Sequence, residues 1–298
     1  MKFSKIIAFA GMFAGFSGAM FFSAAVAVHA ATIVAVIAPV TSAVSIPVAS
    51  AATTTKATVI ATTTVSAPII PLSDCGLTDA DVAKIAAIQN DPTLNWSQEV
   101  TQELAMRKQL IGKTIACAQA NVTALQTALA KTPASGDAAN SIQAQLQSRL
   151  NDAANFYTIE LGKLNGAGIS GSQSIASEIL AWRVGTYAPL SGQVNNFILW
   201  AGNQNLFSTA QTRMNQTQQA VSFFENASAN SDLQSAFTVA YASFQTAKDD
   251  NASAQAALAQ SLPPAQSLAL VKKSLDDLSD TYQKFYAVSD IIKTLLPQ

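Results

Sequence analysis

Trp96 to Lys131 reads WSQEVTQELAMRKQLIGKTIACAQANVTALQTALAK, and this stretch decides the fold. It contains no proline and a single glycine, Gly112. Val100, Leu104, Ile111, Ile115, Ala118, Val122, Leu125 and Leu129 recur at spacings of three, four or seven, the signature of one apolar helix face. Unbroken, such a helix is about 54 Å long at 1.5 Å per residue, and it cannot bury that face alone. Lys131, Pro133 and Gly136 mark a turn. Asp137 to about Leu164 then carries Ile142, Leu146, Leu150, Phe156, Tyr157, Leu161 and Leu164, which predicts an antiparallel helical hairpin.

On the C-terminal side, Asn165, Gly166, Ala167 and Gly168 form the clearest internal break. Ser172 to Trp200 reads as one helix in which Pro189 should produce a kink or a restart. A further helix is expected over Asn205 to about Phe224. Ser231 and Gln234 suggest a capping box for the next, which carries Leu233, Phe237, Ala240, Tyr241 and Phe244 and ends before Pro263 and Pro264. The last helix has a coiled-coil-like stripe at Leu268, Val271, Leu275, Leu278, Tyr282, Phe285 and Ile292. On the N-terminal side, Thr78 with Asp81 three residues later opens a short helix through about Gln89, closed by Asn90, Asp91 and Pro92.

The expected fold is therefore all-α: an elongated bundle of about seven helices with long antiparallel hairpins over residues 73–298. Sub-bundles over 73–165 and 169–298 are one arrangement and a single continuous bundle is the other.

Ahead of the bundle, Lys2 and Lys5 precede 23 uncharged residues, Ile6 to Val28, the pattern of an export signal over residues 1–30. The length favours a retained membrane anchor through residues 6–28, whereas Ala25, Ala27, Ala30 and Ala31 offer cleavage sites, with cleavage near Ala30 preferred. Residues 31–72 are rich in Ala, Thr, Val and Pro, with Lys56 the only charge, and read as an extended tether. The expected location is extracytoplasmic, either secreted or membrane-anchored.

Only 12% of the residues are charged, so ionisable chemistry has few candidates. From Ser73 onward 18 carboxylates outnumber 14 cationic side chains, and no basic patch is visible, which argues against nucleic acid as a partner. His29, at the end of the leader, is the sole histidine, so a processed chain would lack His-assisted catalysis and His-ligated metal. Cys75 and Cys117 read as one disulfide in an exported chain, the alternative being two free buried thiols. No cofactor and no metal is expected.

Carboxylates are the remaining chemical option. Glu99 with Glu103, and Asp276 with Asp280, share helix faces at four-residue spacing. Glu103 precedes Arg107 by four and Asp280 precedes Lys284 by four, the spacing of ordinary surface ion pairs. Asp249, Asp250 and Asn251 look like a fragment of a calcium loop without its remaining ligands. Trp182, Arg183, Tyr187 and Pro189, with Leu190, form the densest aromatic cluster. It reads as core anchors around the proline, or alternatively as a docking surface. Five Asn-x-Ser/Thr sequences begin at Asn95, Asn121, Asn215, Asn226 and Asn251.

Asp74-Cys75-Gly76-Leu77-Thr78-Asp79, Ala87-Ile88-Gln89-Asn90-Asp91-Pro92-Thr93, Ile115-Ala116-Cys117-Ala118, Glu160-Leu161-Gly162-Lys163-Leu164 and Leu180-Ala181-Trp182-Arg183 with Tyr187-Ala188-Pro189-Leu190 together carry a likeness. Over about Asp74 to Pro297 the chain resembles a group of exported helical proteins of candidate-phyla (Parcubacteria-like) bacteria that have no assigned activity. The resemblance implies a bacterial envelope setting and a paired Cys75 and Cys117, and it transfers no functional residue. The expected function is a non-enzymatic exported module whose partner is an envelope or surface protein. The alternative is a bundle that holds an apolar molecule among Phe197, Trp200, Phe237, Tyr241 and Phe244.

Overall fold

A computed structural model describes Cys75 and residues 78–227 and 231–295. The expected leader, tether and His29 lie outside the described residues. Eight α-helices and one π segment make up the described chain: α1 (Asp79–Gln89), α2 (Trp96–Lys131), α3 (Asp137–Gly166), α4 (Ile169–Trp182), the π segment (Arg183–Tyr187), α5 (Ala188–Gly202), α6 (Gln204–Ala227), α7 (Ser231–Ala259) and α8 (Pro264–Leu295). Among the described residues there is no strand, and no helix is long and apolar enough to cross a membrane.

Local chemistry accounts for the helix ends. Thr78 caps α1, with the Asp81 amide donating to Thr78 Oγ1 at 3.2 Å and the Thr78 amide donating back to the Asp81 carboxylate at 3.3 Å. Asn95 and Gln98 form the same reciprocal box at the start of α2, both bonds being 3.0 Å. At the far end of α2, the Gln143 amide donates to the carbonyls of Leu129 at 2.6 Å and Thr132 at 3.0 Å. The Leu129 carbonyl also accepts from the Thr132 amide at 3.1 Å, so Gln143 adds a second donor there and supplies one to Thr132, beyond the end of the helix ladder. Gly136 enters α3 with φ of +88°, a conformation that favours glycine.

The chain divides into two units. The first comprises residues 75–204 and 250–272. Its centre is the predicted hairpin: Ile115, Val122, Leu125 and Leu129 of α2 and Ile142, Leu146, Leu150 and Ala153 of α3 are buried. Burying each large side chain contributes about 1.5–3 kcal/mol. α1 packs on α2, and α4 packs on both α2 and α3, so the break after α3 does not part the chain there. A disulfide joins Cys75 to Cys117 in the middle of α2.

The second unit comprises residues 205–249 and 273–295. Phe207, Ala210, Met214 and Val221 of α6 pack with Leu233, Phe237, Ala240 and Phe244 of α7 and with Leu278, Tyr282, Phe285 and Val288 of α8. Arg213 lies over the Tyr282 ring, 5.1 Å from its centre.

In both α7 and α8 the buried positions repeat every seven residues, and one row of each repeat is small. Ala240, Ala247 and Ala254 follow Leu233 along α7, while Ser267, Ser274 and Thr281 precede Val288 along α8, all nearly inaccessible. Of the expected α8 stripe, Val271, Leu278, Tyr282 and Phe285 are buried as their spacing predicts, whereas Leu268, Leu275 and Ile292 are only half-buried.

Candidate functional site at the π turn

Pro189 has no amide hydrogen and cannot donate within a helix. The ladder adapts ahead of it: the Ala188 amide bonds to the Arg183 carbonyl, five residues back instead of four. α4 and α5 therefore continue through a π segment where a kink or a restart was expected. Val184, Gly185 and Thr186 are exposed, so carbonyls deprived of a donor sit among residues open to solvent. Arg183 and Tyr187, at the two ends of the segment, are buried.

The aromatic cluster is assembled against α3. Trp182 stacks on Phe156 with centroids 4.2 Å apart and 12° between planes, and it lies parallel to Tyr187 at 6.0 Å. Tyr157 presents its ring edgewise to Trp182 at 5.4 Å and to Tyr187 at 6.1 Å. Pairs of this kind contribute about 0.5–1.5 kcal/mol each beyond area burial. Trp182 and Pro189 are half-buried and Arg183, Tyr187 and Leu190 are buried, so this cluster packs largely inside the unit, with Val184 as an exposed apolar neighbour.

Charge runs through the same interior. Glu103 and Arg107 pair as their spacing predicts, with Nε donating to Oε1 at 2.7 Å, but the pair is not on the surface: the residues are 8% and 3% exposed. The apolar stripe of α2 continues past them and encloses both. Glu160, also buried, accepts from Lys163 Nζ at 2.7 Å, and Lys163 reaches Glu178 at 3.3 Å. Bonding to Glu160 and then to Glu178 raises the Lys163 pKa. The Ser174 hydroxyl, followed by Lys163, holds Glu178 below its ordinary value. Burial pushes the Tyr157 phenol up to about 12 against the opposing charge of Arg183. Tyr187 is also raised, by burial first and then by Tyr157, again against Arg183.

The other sequence candidates do not converge here. Glu99 is half-buried in the first turn of α2, where a carboxylate favours the helix dipole. Asp276 and Asp280 belong to the second unit and are exposed, with Asp280 accepting from Ser243 Oγ at 2.9 Å and pairing with Lys284 at 3.4 Å. Asp249, Asp250 and Asn251 lie within continuous α7, not in a loop. Asn251 Oδ1 accepts from the Trp200 indole at 2.9 Å. Among the described residues no three of His, Cys, Asp and Glu are grouped as metal ligands would be. Phe197 and Trp200 are buried in the first unit, whereas Phe237 and Phe244 are buried in the second, where Tyr241 is about half exposed. Of the Asn-x-Ser/Thr sites, Asn121 is buried and donates to Cys75 Sγ at 3.2 Å, while Asn95 and Asn215 are exposed.

Sequence reasoning missed a polar clamp on the turn between α7 and α8. Gln193 Nε2 donates to the carbonyls of Ser261 at 2.9 Å and Leu262 at 3.2 Å, and Arg149 Nη1 donates to Gln193 Oε1. Asn196 Nδ2 donates to the Pro264 carbonyl at 2.7 Å and to Ser267 Oγ at 2.9 Å. Ser261 has a left-handed backbone with φ of +52°. The only signal was the presence of amides in the otherwise apolar α5.

No protein-family model, curated protein or solved structure matches this chain. What it can do must be argued from these side chains.

Proposed function

We propose that the protein is a non-enzymatic exported helical module of the bacterial cell envelope that acts by presenting helix surfaces to an envelope or surface protein. The observation that carries this reading is where the chemically capable side chains go. Glu103 is tied to Arg107, Glu160 to Lys163, Cys75 to Cys117, and Trp182 into its aromatic stack. Large apolar side chains meanwhile stand at the surface: Trp96 is 78% exposed, and Val184, Phe223 and Val239 are about half exposed or more. The leader, with Lys2 and Lys5 ahead of an uncharged stretch, and the disulfide support an oxidising compartment outside the cytosol.

A photo-crosslinking residue placed at Trp96, Phe223 or Val239 of the full chain, irradiated in intact cells, tests the proposal. One discrete adduct that depends on the position is expected. Reproducible turnover by the purified protein, lost on Glu99→Gln or Asp280→Asn without loss of folding, would replace this reading with an enzymatic one.

A further inference from the structure

We propose that Tyr157, Glu160 and Tyr187 enclose an internal water site between α3 and the π turn. The Tyr157 and Tyr187 hydroxyls and Glu160 Oε2 are buried and meet no hydrogen-bond partner from the protein. Both tyrosines are 0% exposed and Glu160 is 2% exposed, so bulk solvent does not reach them. A buried polar group without a partner carries its full desolvation penalty, and three of them, on Tyr157, on its ring neighbour and on the residue one turn along its helix, point to a common occupant. Tyr157 and Glu160 lie one helical turn apart on α3, and the Tyr157 and Tyr187 rings approach nearly perpendicular at 6.1 Å.

Their chemistry selects the occupant. Each phenol can donate and accept, and the free carboxylate oxygen accepts, which supplies the two to four polar partners that a buried water requires. Glu160 is already neutralised through Oε1 by Lys163, and Glu103 by Arg107. An ion placed among them would carry uncompensated charge into a low-dielectric interior, whereas water adds none.

The test compares full-length wild type with Tyr157→Phe and Tyr187→Phe by urea denaturation and locates solvent in a high-resolution crystal structure of the wild type. The expected result is solvent density within hydrogen-bond distance of both phenol oxygens, with each substitution lowering the urea midpoint because the water loses a partner. A dry interior, or a midpoint that is unmoved or raised, overturns the proposal. Should a substituted chain fail to fold, the wild-type density decides alone.

Discussion

Gly192 of α5 lies so close to Pro264 at the start of α8 that a Cβ on the glycine would stand 2.7 Å from the proline Cβ and 2.9 Å from its Cγ. The ring cannot swing away as a flexible side chain would. In an exposed helix interior, Gly→Ala stabilises by about 0.5–1 kcal/mol. Gly192→Ala is expected to do the reverse, costing about 1–3 kcal/mol as overpacking. Gly162→Ala, with nothing within 4 Å of its added carbon, is the control and should raise the thermal midpoint. Equal effects from the two substitutions would mean that the α5–α8 approach does not govern this position.

The disulfide closes a separation of 42 residues between Cys75 and Cys117. In the chain-entropy treatment this stabilises the fold by about 4 kcal/mol. Cys75→Ser with Cys117→Ser should therefore lower the urea midpoint markedly, and the wild type should show the same loss in reductant. Unchanged wild-type stability on full reduction would contradict this.

Removing Glu103 should be costly because Arg107 stays behind in the interior. Breaking a buried ion pair from one side costs about 3–5 kcal/mol, whereas replacing both partners by apolar residues is often near neutral. Glu103→Ala is expected to fall in that range, and Glu103→Leu with Arg107→Leu should recover most of the loss. A double-mutant cycle in urea measures both.

Alkaline titration should separate the buried phenols. With folded pKa values above the ordinary phenol value of about 10, Tyr157 and Tyr187 hold protons that the unfolded chain has released. Their contribution to stability is intact below about pH 10 and is lost as the pH rises through the folded value, which is about 12 for Tyr157. Ultraviolet difference absorbance should show a late ionisation accompanied by unfolding, and Tyr157→Phe with Tyr187→Phe should shrink that late phase to what Tyr282, also raised by burial, contributes. A late phase of undiminished amplitude in the double variant would contradict this.

Ser274→Leu extends the apolar repeat of α8 on paper and should nonetheless destabilise the fold. Ser274 is 1% exposed on the small row of the repeat, where added methylenes cost about 1–3 kcal/mol. Leu275→Ala, at a half-buried neighbour, should be the milder change. Circular dichroism melts of the two variants give the order directly.

The helices were legible because their evidence is local. The Thr78–Asp81 box, the three-four-seven spacing of α2 and the Pro133–Gly136 turn each fix a backbone state within a few residues. The seams were less so, because burial is decided between helices. On α8 the spacing found Val271, Leu278, Tyr282 and Phe285, but it also picked the half-buried Leu268 and Leu275 and passed over the inaccessible Ser267, Ser274 and Thr281, since small side chains suit a closely packed position whatever their polarity. For the same reason the Glu103–Arg107 spacing specified a partner but not a depth. Pro189 announced a disturbance, and only the choice of a π turn over a kink was hidden. Gln193 and Asn196 gave no warning, because their partners are backbone carbonyls about seventy positions away.

Neither unit is closed in sequence. The first waits for residues 250–272, and the second, which begins at residue 205, waits for residues 273–295. A chain emerging from its N-terminus therefore completes nothing after Gln204 until the whole α6–α7 stretch has been made and the turn before α8 has docked under Gln193 and Asn196. Premature termination anywhere between those points leaves both units short of a segment. A quality-control protease meeting this chain would thus face two incomplete cores until the first turns of the last helix have been delivered, and one until its end.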